Sequence, residues 1–222
     1  MKTSILLAVV ALSSGAFAQT SLAEVGRRDG VWNSGHSSVL TGRTVGAGNF
    51  VVHPEIGYPG VSVGLIWGQD NFFDAGLRVS AGYGSRSGFD FAPGVGVQAV
   101  LRWNFLNAGI FSMGGRFEPG VLLGAYDRGN VVLLAPLSLD LGLHPHPIFN
   151  LALGFDLGLG ASFAYSGGVA FLLPLQAGPG AEINLTDWLA LTVSTRFGAG
   201  WSTWPDYNRF GFRGTVGLAF KT

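Results

Sequence analysis

Large apolar and small or polar positions alternate along most of this chain. Residues 151–163, LALGFDLGLGASF, show it most clearly. Leu151, Leu153, Phe155, Leu157, Leu159, Ala161 and Phe163 fall on one face, and Ala152, Gly154, Asp156, Gly158, Gly160 and Ser162 on the other. A period of two is that of a β-strand with two unlike faces. The pattern recurs from about 44 to 220 in ten segments: 44–56, 60–68, 72–83, 92–103, 109–125, 130–143, 150–163, 168–184, 188–201 and 209–220. Short stretches rich in Gly, Pro, Asn, Asp and Ser separate them, as turns require. The reading is an all-β, antiparallel, up-and-down transmembrane β-barrel of about ten strands, with eight or twelve as the neighbouring even counts.

The choice between a soluble sandwich and a barrel rests on which face meets water. Water-facing strand positions usually carry Thr, Lys, Glu or Arg. Here the alternative face is mostly Gly and Ala, and adjacent segments repeat the apolar face: Leu133, Leu137, Leu139 and Leu141 on one side, Phe171, Leu173 and Leu175 on the other. A closed barrel resolves this by turning the apolar face to lipid and the small face to a narrow lumen. Pro54, Pro93, Pro119, Pro136, Pro174 and Pro179 fall inside the segments. They lack a ladder donor, so bulges or nearby strand ends are expected there.

Composition narrows the class. Charged residues are 12% of the 222, about half the usual share of about 25%, yet no stretch after residue 18 reaches the length of a membrane helix. High apolarity without helical spans points to a barrel in lipid. The first residues, Met1-Lys2, an apolar run from Ile5 to Leu12 and Ala16-Phe17-Ala18, match a cleaved secretory signal over 1–18. Residues 19–43 are polar and aperiodic; they predict a flexible periplasmic segment, with a short plug as the alternative, ahead of a barrel over 44–222. The whole chain has 13 basic and 13 acidic residues. Without residues 1–18, which hold one Lys, the balance is −1, so there is no basic field for nucleic acid. There is no Cys.

An even strand count puts both chain ends on one side. The turns near 69–71, 104–108, 144–150 and 185–187 then share that side, and those near 84–91, 126–129, 165–168 and 202–208 the other. Trp67, Phe72, Phe73, Trp103, Phe105, Phe149, Trp188 and Phe220 flank the first set. Tyr58, Tyr83, Phe89, Phe91, Tyr126, Tyr165, Trp201, Trp204, Tyr207 and Phe210 flank the second. Two such belts suit the two interfaces of a bilayer.

Parity directs His53, Glu55, Asp74, Arg78, Gln98, Arg102, Arg116, Glu118, Asp140, Asp156, Gln176, Glu182, Asn184, Arg196 and Arg213 inward. An Arg facing mid-bilayer lipid would cost about 2–4 kcal/mol, and none is placed there. Five Arg against six carboxylates predict a mutual network that either fills the lumen or lines a narrow path. His53 and Glu55 share a face as a candidate acid/base pair, although a satisfied lumen pair is the simpler reading. His144-Pro145-His146 reads as a proline-rich turn in preference to a metal site. Arg86, Arg128 and Arg209 sit near the outer rim, where lipid phosphate is a possible partner. No nucleophile motif is present, and no cofactor is expected.

The alternating strands, the opening Met1–Ala18 and the closing run Arg209-Phe-Gly-Phe-Arg-Gly-Thr-Val-Gly-Leu-Ala-Phe220 together resemble small bacterial outer-membrane β-barrel proteins. That resemblance implies a cell outer-membrane location, surrounding lipid (with lipopolysaccharide as one candidate) and the barrel assembly machinery as partners. It also implies a last strand ending on an aromatic; here Lys221-Thr222 follow Phe220 and displace that signal. Ten-stranded proteases of the omptin kind carry a rim His that the outer loops here lack. The function expected is non-enzymatic, structural or weakly pore-forming. A narrow solute pore is the first alternative, and an enzyme on surface lipid, using His53, the second.

Overall fold

A computed structural model describes residues 37–83, 94–124, 130–165, 167–203 and 209–222, with the side chain of Arg209 left aside. Every regular element in it is a strand: β1 (Phe50–Tyr58), β2 (Gly60–Gly68), β3 (Phe73–Gly82), β4 (Gly94–Ala108), β5 (Phe111–Phe117), β6 (Gly120–Gly124), β7 (Asn130–Leu134), β8 (Leu137–His146), β9 (Phe149–Leu157), β10 (Gly160–Ala164), β11 (Val169–Asn184), β12 (Leu189–Ser202) and β13 (Arg209–Lys221). Each pairs antiparallel with its neighbours, and β1 pairs with β13 to close the sheet. Closure leaves no unpaired edge.

The thirteen strands are ten staves. In β5/β6, β7/β8 and β9/β10 one stave is broken in the middle without any slip of register. Phe117 faces Leu137 and Gly120 faces Leu134, a constant offset across the gap. Leu157 faces Leu175 and Gly160 faces Leu172, again constant. The first two breaks fall at Pro119 and Pro136, and the third, at 158–159, faces Pro174 of the unbroken β11, so the ladder is interrupted there without bulges. Pro54, Pro174 and Pro179 remain inside β1 and β11 and interrupt pairing on one side only. The register does shift at Asn104/Leu106 and Leu143/His146. Pro93 lies outside the described residues.

Several ends differ from the pattern-based expectation. Residues 44–49 are not strand, and β1 begins at Phe50. The strand expected to stop near Asn104 runs on to Ala108, because Gly109 with φ of 61° supplies the left-handed residue of the turn. The expected His144–Asn150 turn shrinks to Pro147-Ile148, since β8 reaches His146.

The predicted outward residues are the exposed ones. Leu151, Leu153, Phe155, Leu159 and Phe163 are 39–43% exposed, while Asn150, Ala152 and Ser162 are buried. Among the described residues, the exposed Asp, Glu, Lys and Arg are Asp70 and Asp187, both in turns. Aromatic rings pair across strands at the end carrying those turns: Phe50 with Trp67 at 5.3 Å, Phe73 with Trp103 at 5.5 Å and Trp188 with Phe220 at 6.4 Å. Tyr83, Tyr165, Trp201 and Phe210 are exposed at the opposite end. Phe89, Phe91, Tyr126, Trp204 and Tyr207 lie outside the described residues.

Candidate functional site

The interior is built at two levels. At the end where the chain closes, the lumen holds residues 37–45, part of the segment expected to be a flexible tail. Ser38, Val39, Leu40, Thr41, Thr44 and Val45 are all buried. Val39, Leu40 and Val45 pack with Val51, Ile66, Ala152, Ala190 and Ala219 of the wall. Small wall residues make the room: a Cβ on Gly42 would collide with the backbone of Met113 and Gly114. The segment is therefore a plug. A short plug is the alternative reading of 19–43, and residues 37–45 take it; a nine-residue stretch needs no period to lie in a lumen.

A short peptide buried without strand partners must still satisfy its backbone groups. Four charged wall residues do so. Arg102 donates from Nη2 to the carbonyls of Ser38 (2.9 Å), Thr41 (3.2 Å) and Arg43 (2.7 Å), and its Nη1 pairs with Asp74 at 3.2 Å. Asp74 accepts from the Val45 amide at 3.0 Å. Glu182 accepts from the Val39 amide at 3.0 Å and the Ser38 hydroxyl at 2.8 Å. Lys221 Nζ joins Glu182 at 2.9 Å, Asn184 at 3.0 Å and the Ser37 carbonyl at 2.8 Å. Lys221 thus points into the lumen, and the Thr222 amide extends the closing ladder to the Phe50 carbonyl at 2.9 Å.

Beside the plug runs a chain of hydrogen bonds that the sequence reading missed. Ser112 Oγ lies 2.8 Å from His144 Nε2, and His144 Nδ1 lies 2.7 Å from Asn150 Oδ1. Ser112 is fully buried. Both ring nitrogens are engaged, so the chain ties β5, β8 and β9 together beneath Thr41. His144 belongs to the lumen and not to a turn.

Above the plug, a cavity of about 170 Å³ has Val39 and Leu40 among its lining residues. Eight of the inward charges form one connected set here. Arg78 reaches Glu55 at 3.9 Å and Glu118 at 3.1 Å. Arg116 reaches Glu118 at 3.8 Å, Asp140 at 3.5 Å and Asp156 at 3.6 Å. Arg196 reaches Asp140 at 3.8 Å and Asp156 at 3.3 Å, and Arg213 reaches Asp156 at 3.0 Å. Arg196 crosses the inner wall to do this, and a Cβ on Gly154 would occupy the space of its guanidinium. Its Nη1 also donates to the Thr195 carbonyl at 2.9 Å, which faces Pro179 and has no proline N–H to accept.

His53 and Glu55 go separate ways. His53 is buried against Thr192, with 2.9 Å from Nε2 to Oγ1, while Glu55 accepts from Ser62 at 3.1 Å and Thr215 at 3.2 Å. Gln98 donates to the Glu118 carbonyl at 3.2 Å, and Gln176 lines the cavity. Asp74, Arg102 and Glu182, expected in the same network, instead serve the plug. Arg86 and Arg128, and the side chain of Arg209, lie outside what is described. The sequence matches no family model and no curated protein.

Two substitutions check this layout. Arg102→Ala leaves Asp74 buried without its cation, which typically costs about 3–5 kcal/mol. Equilibrium unfolding of the variant should show a loss of that order and earlier protease cutting within 37–45. Gly154→Ala should expel the Arg196 guanidinium and cost about 1–3 kcal/mol by overpacking. Adding Arg196→Ala to it should bring almost no further loss, and a fully additive pair would contradict the shared contact.

Proposed function

We propose that the chain is an integral outer-membrane β-barrel, exported with loss of residues 1–18, whose lumen is filled and closed, and which acts without catalysis. The observation that carries the reading is the distribution of charge. The outward strand faces hold Val, Leu, Ile and Phe and no exposed ionised side chain among the described residues, whereas the Arg and carboxylates pair inside. Water would penalise such an outer surface, and lipid favours it. The aromatic pairs at one end and exposed aromatics at the other suit the two bilayer interfaces. Bacterial origin, surrounding lipid and delivery by the barrel assembly machinery belong to the same proposal.

The plug favours a structural barrel over an open solute pore. A peptide held by Arg102, Asp74, Glu182 and Lys221 blocks one end, and the Arg–carboxylate set crowds the space above it. The reading of an enzyme on surface lipid loses its candidate, because His53 is buried and bonded to Thr192.

Two measurements test the proposal. Refolded chain should co-float with phospholipid vesicles and run at different gel positions before and after heating. In that setting Leu153→Arg should lower stability by about 2–4 kcal/mol; a monomer soluble without detergent would end the reading. In planar bilayers the intact chain should pass little current, and deletion of residues 37–45 should open steady conductance. Equal large conductance from both would return the solute pore to first place.

A further inference from the structure

The three prolines at or facing the breaks lie at one height. Along the register, Glu118 faces Pro136, Pro136 faces Gly158 and Gly158 faces Pro174, with Ala99 facing Pro119 one step above. Each proline accepts at its carbonyl: from Ala99 at 2.8 Å, from Glu118 at 3.0 Å and from Gly158 at 2.7 Å. None can return a bond. Three ladder pairs across one sector, from β4 to β11, thus each lose one of their two hydrogen bonds. The Gln98 amide replaces one of them at the Glu118 carbonyl. No register slip relieves the others, so the wall carries a transverse seam.

The seam has a charged pocket inside and an apolar groove outside. Pro136, Gly158, Leu159 and Pro174 line the inner cavity. Leu159, which points outward, also borders a groove on the outer wall with Phe171, Leu173 and Trp201. Two residues along from Gly158, Asp156 is shared by three guanidinium groups, those of Arg116, Arg196 and Arg213, of which Arg116 and Arg196 also reach Asp140. Arg213 has Asp156 as its carboxylate partner among the described ion pairs, and its side chain is 37% exposed.

We infer that this seam is a lateral binding site for a long-chain fatty acid, with its carboxylate at Arg213 and Arg196 and its acyl chain leaving through the wall beside Leu159 into the outer groove. The groove alone would accept any apolar chain; the part-exposed Arg213 guanidinium, which shares Asp156 with two others, selects an anionic head. A weakened ladder is needed because an intact strand pair leaves no path between lumen and lipid. The inference rests on the membrane reading above.

The test uses the full mature chain in phosphatidylcholine vesicles with radiolabelled palmitate. Flotation first reports membrane insertion, so failure of the membrane reading is seen separately. Uptake above that of protein-free vesicles should saturate near one palmitate per chain, and the methyl ester should compete poorly. The double variant Pro136→Val, Pro174→Val restores two ladder donors and should weaken binding about tenfold or more, equivalent to roughly 1.4 kcal/mol, without loss of the heat-modifiable gel shift. Leu159→Trp fills the groove and should do the same. Arg213→Gln should erase the preference for acid over ester. Absence of a saturable component, or equal binding by the folded double-proline variant and the parent, overturns the inference.

Discussion

Space inside a ten-stranded cylinder is the constraint on which this structure depends. Barrels of this size are normally filled by their own side chains. Here the inner wall is largely glycine, alanine and serine, and the room so made is divided between two tenants. One is the backbone of residues 37–45, which lies so close that Gly42 and Gly114 tolerate no side chain. The other is a set of guanidinium groups and carboxylates, of which Arg196 spans the wall over Gly154. Large inward residues would have excluded both.

Filling a lumen with a peptide and ions carries a solvation cost that only pairing offsets. The two levels meet it differently. Around the plug, charged side chains satisfy peptide groups: Arg102 takes three carbonyls, Asp74 and Glu182 take amides. Higher up, charges satisfy each other at longer distances, 3.0 to 3.9 Å, and the cavity remains. The lower level is built to hold a chain segment in place. The upper level keeps a cavity, and the proline seam stands beside it.

The prolines show how one residue type can serve two ends. At Pro54 and Pro179 the ladder is interrupted on one side while pairing continues on the other, and at Pro179 the Arg196 side chain supplies the missing donor. At Pro119, Pro136 and Pro174 the losses line up across neighbouring staves. Only the register reveals this, since the three lie far apart in sequence.

The period of two settled the strands, the closed architecture and the inward set, because side-chain direction in a strand follows from parity alone. His53, Glu55, Arg78, Arg102, Arg116, Glu118, Asp140, Asp156, Glu182, Arg196 and Arg213 could therefore be named from the chain. Their partners could not, since an Arg–carboxylate pair depends on stagger between strands that sequence does not state. The plug stayed an alternative for a related reason: residues 37–45 have no periodic face, and their burial exists only once ten strands enclose them. Lys221 read as a displaced end until closure of β1 on β13 carried it to Glu182. Local alternation decides which way a side chain points; the height at which it meets another is a property of the closed cylinder.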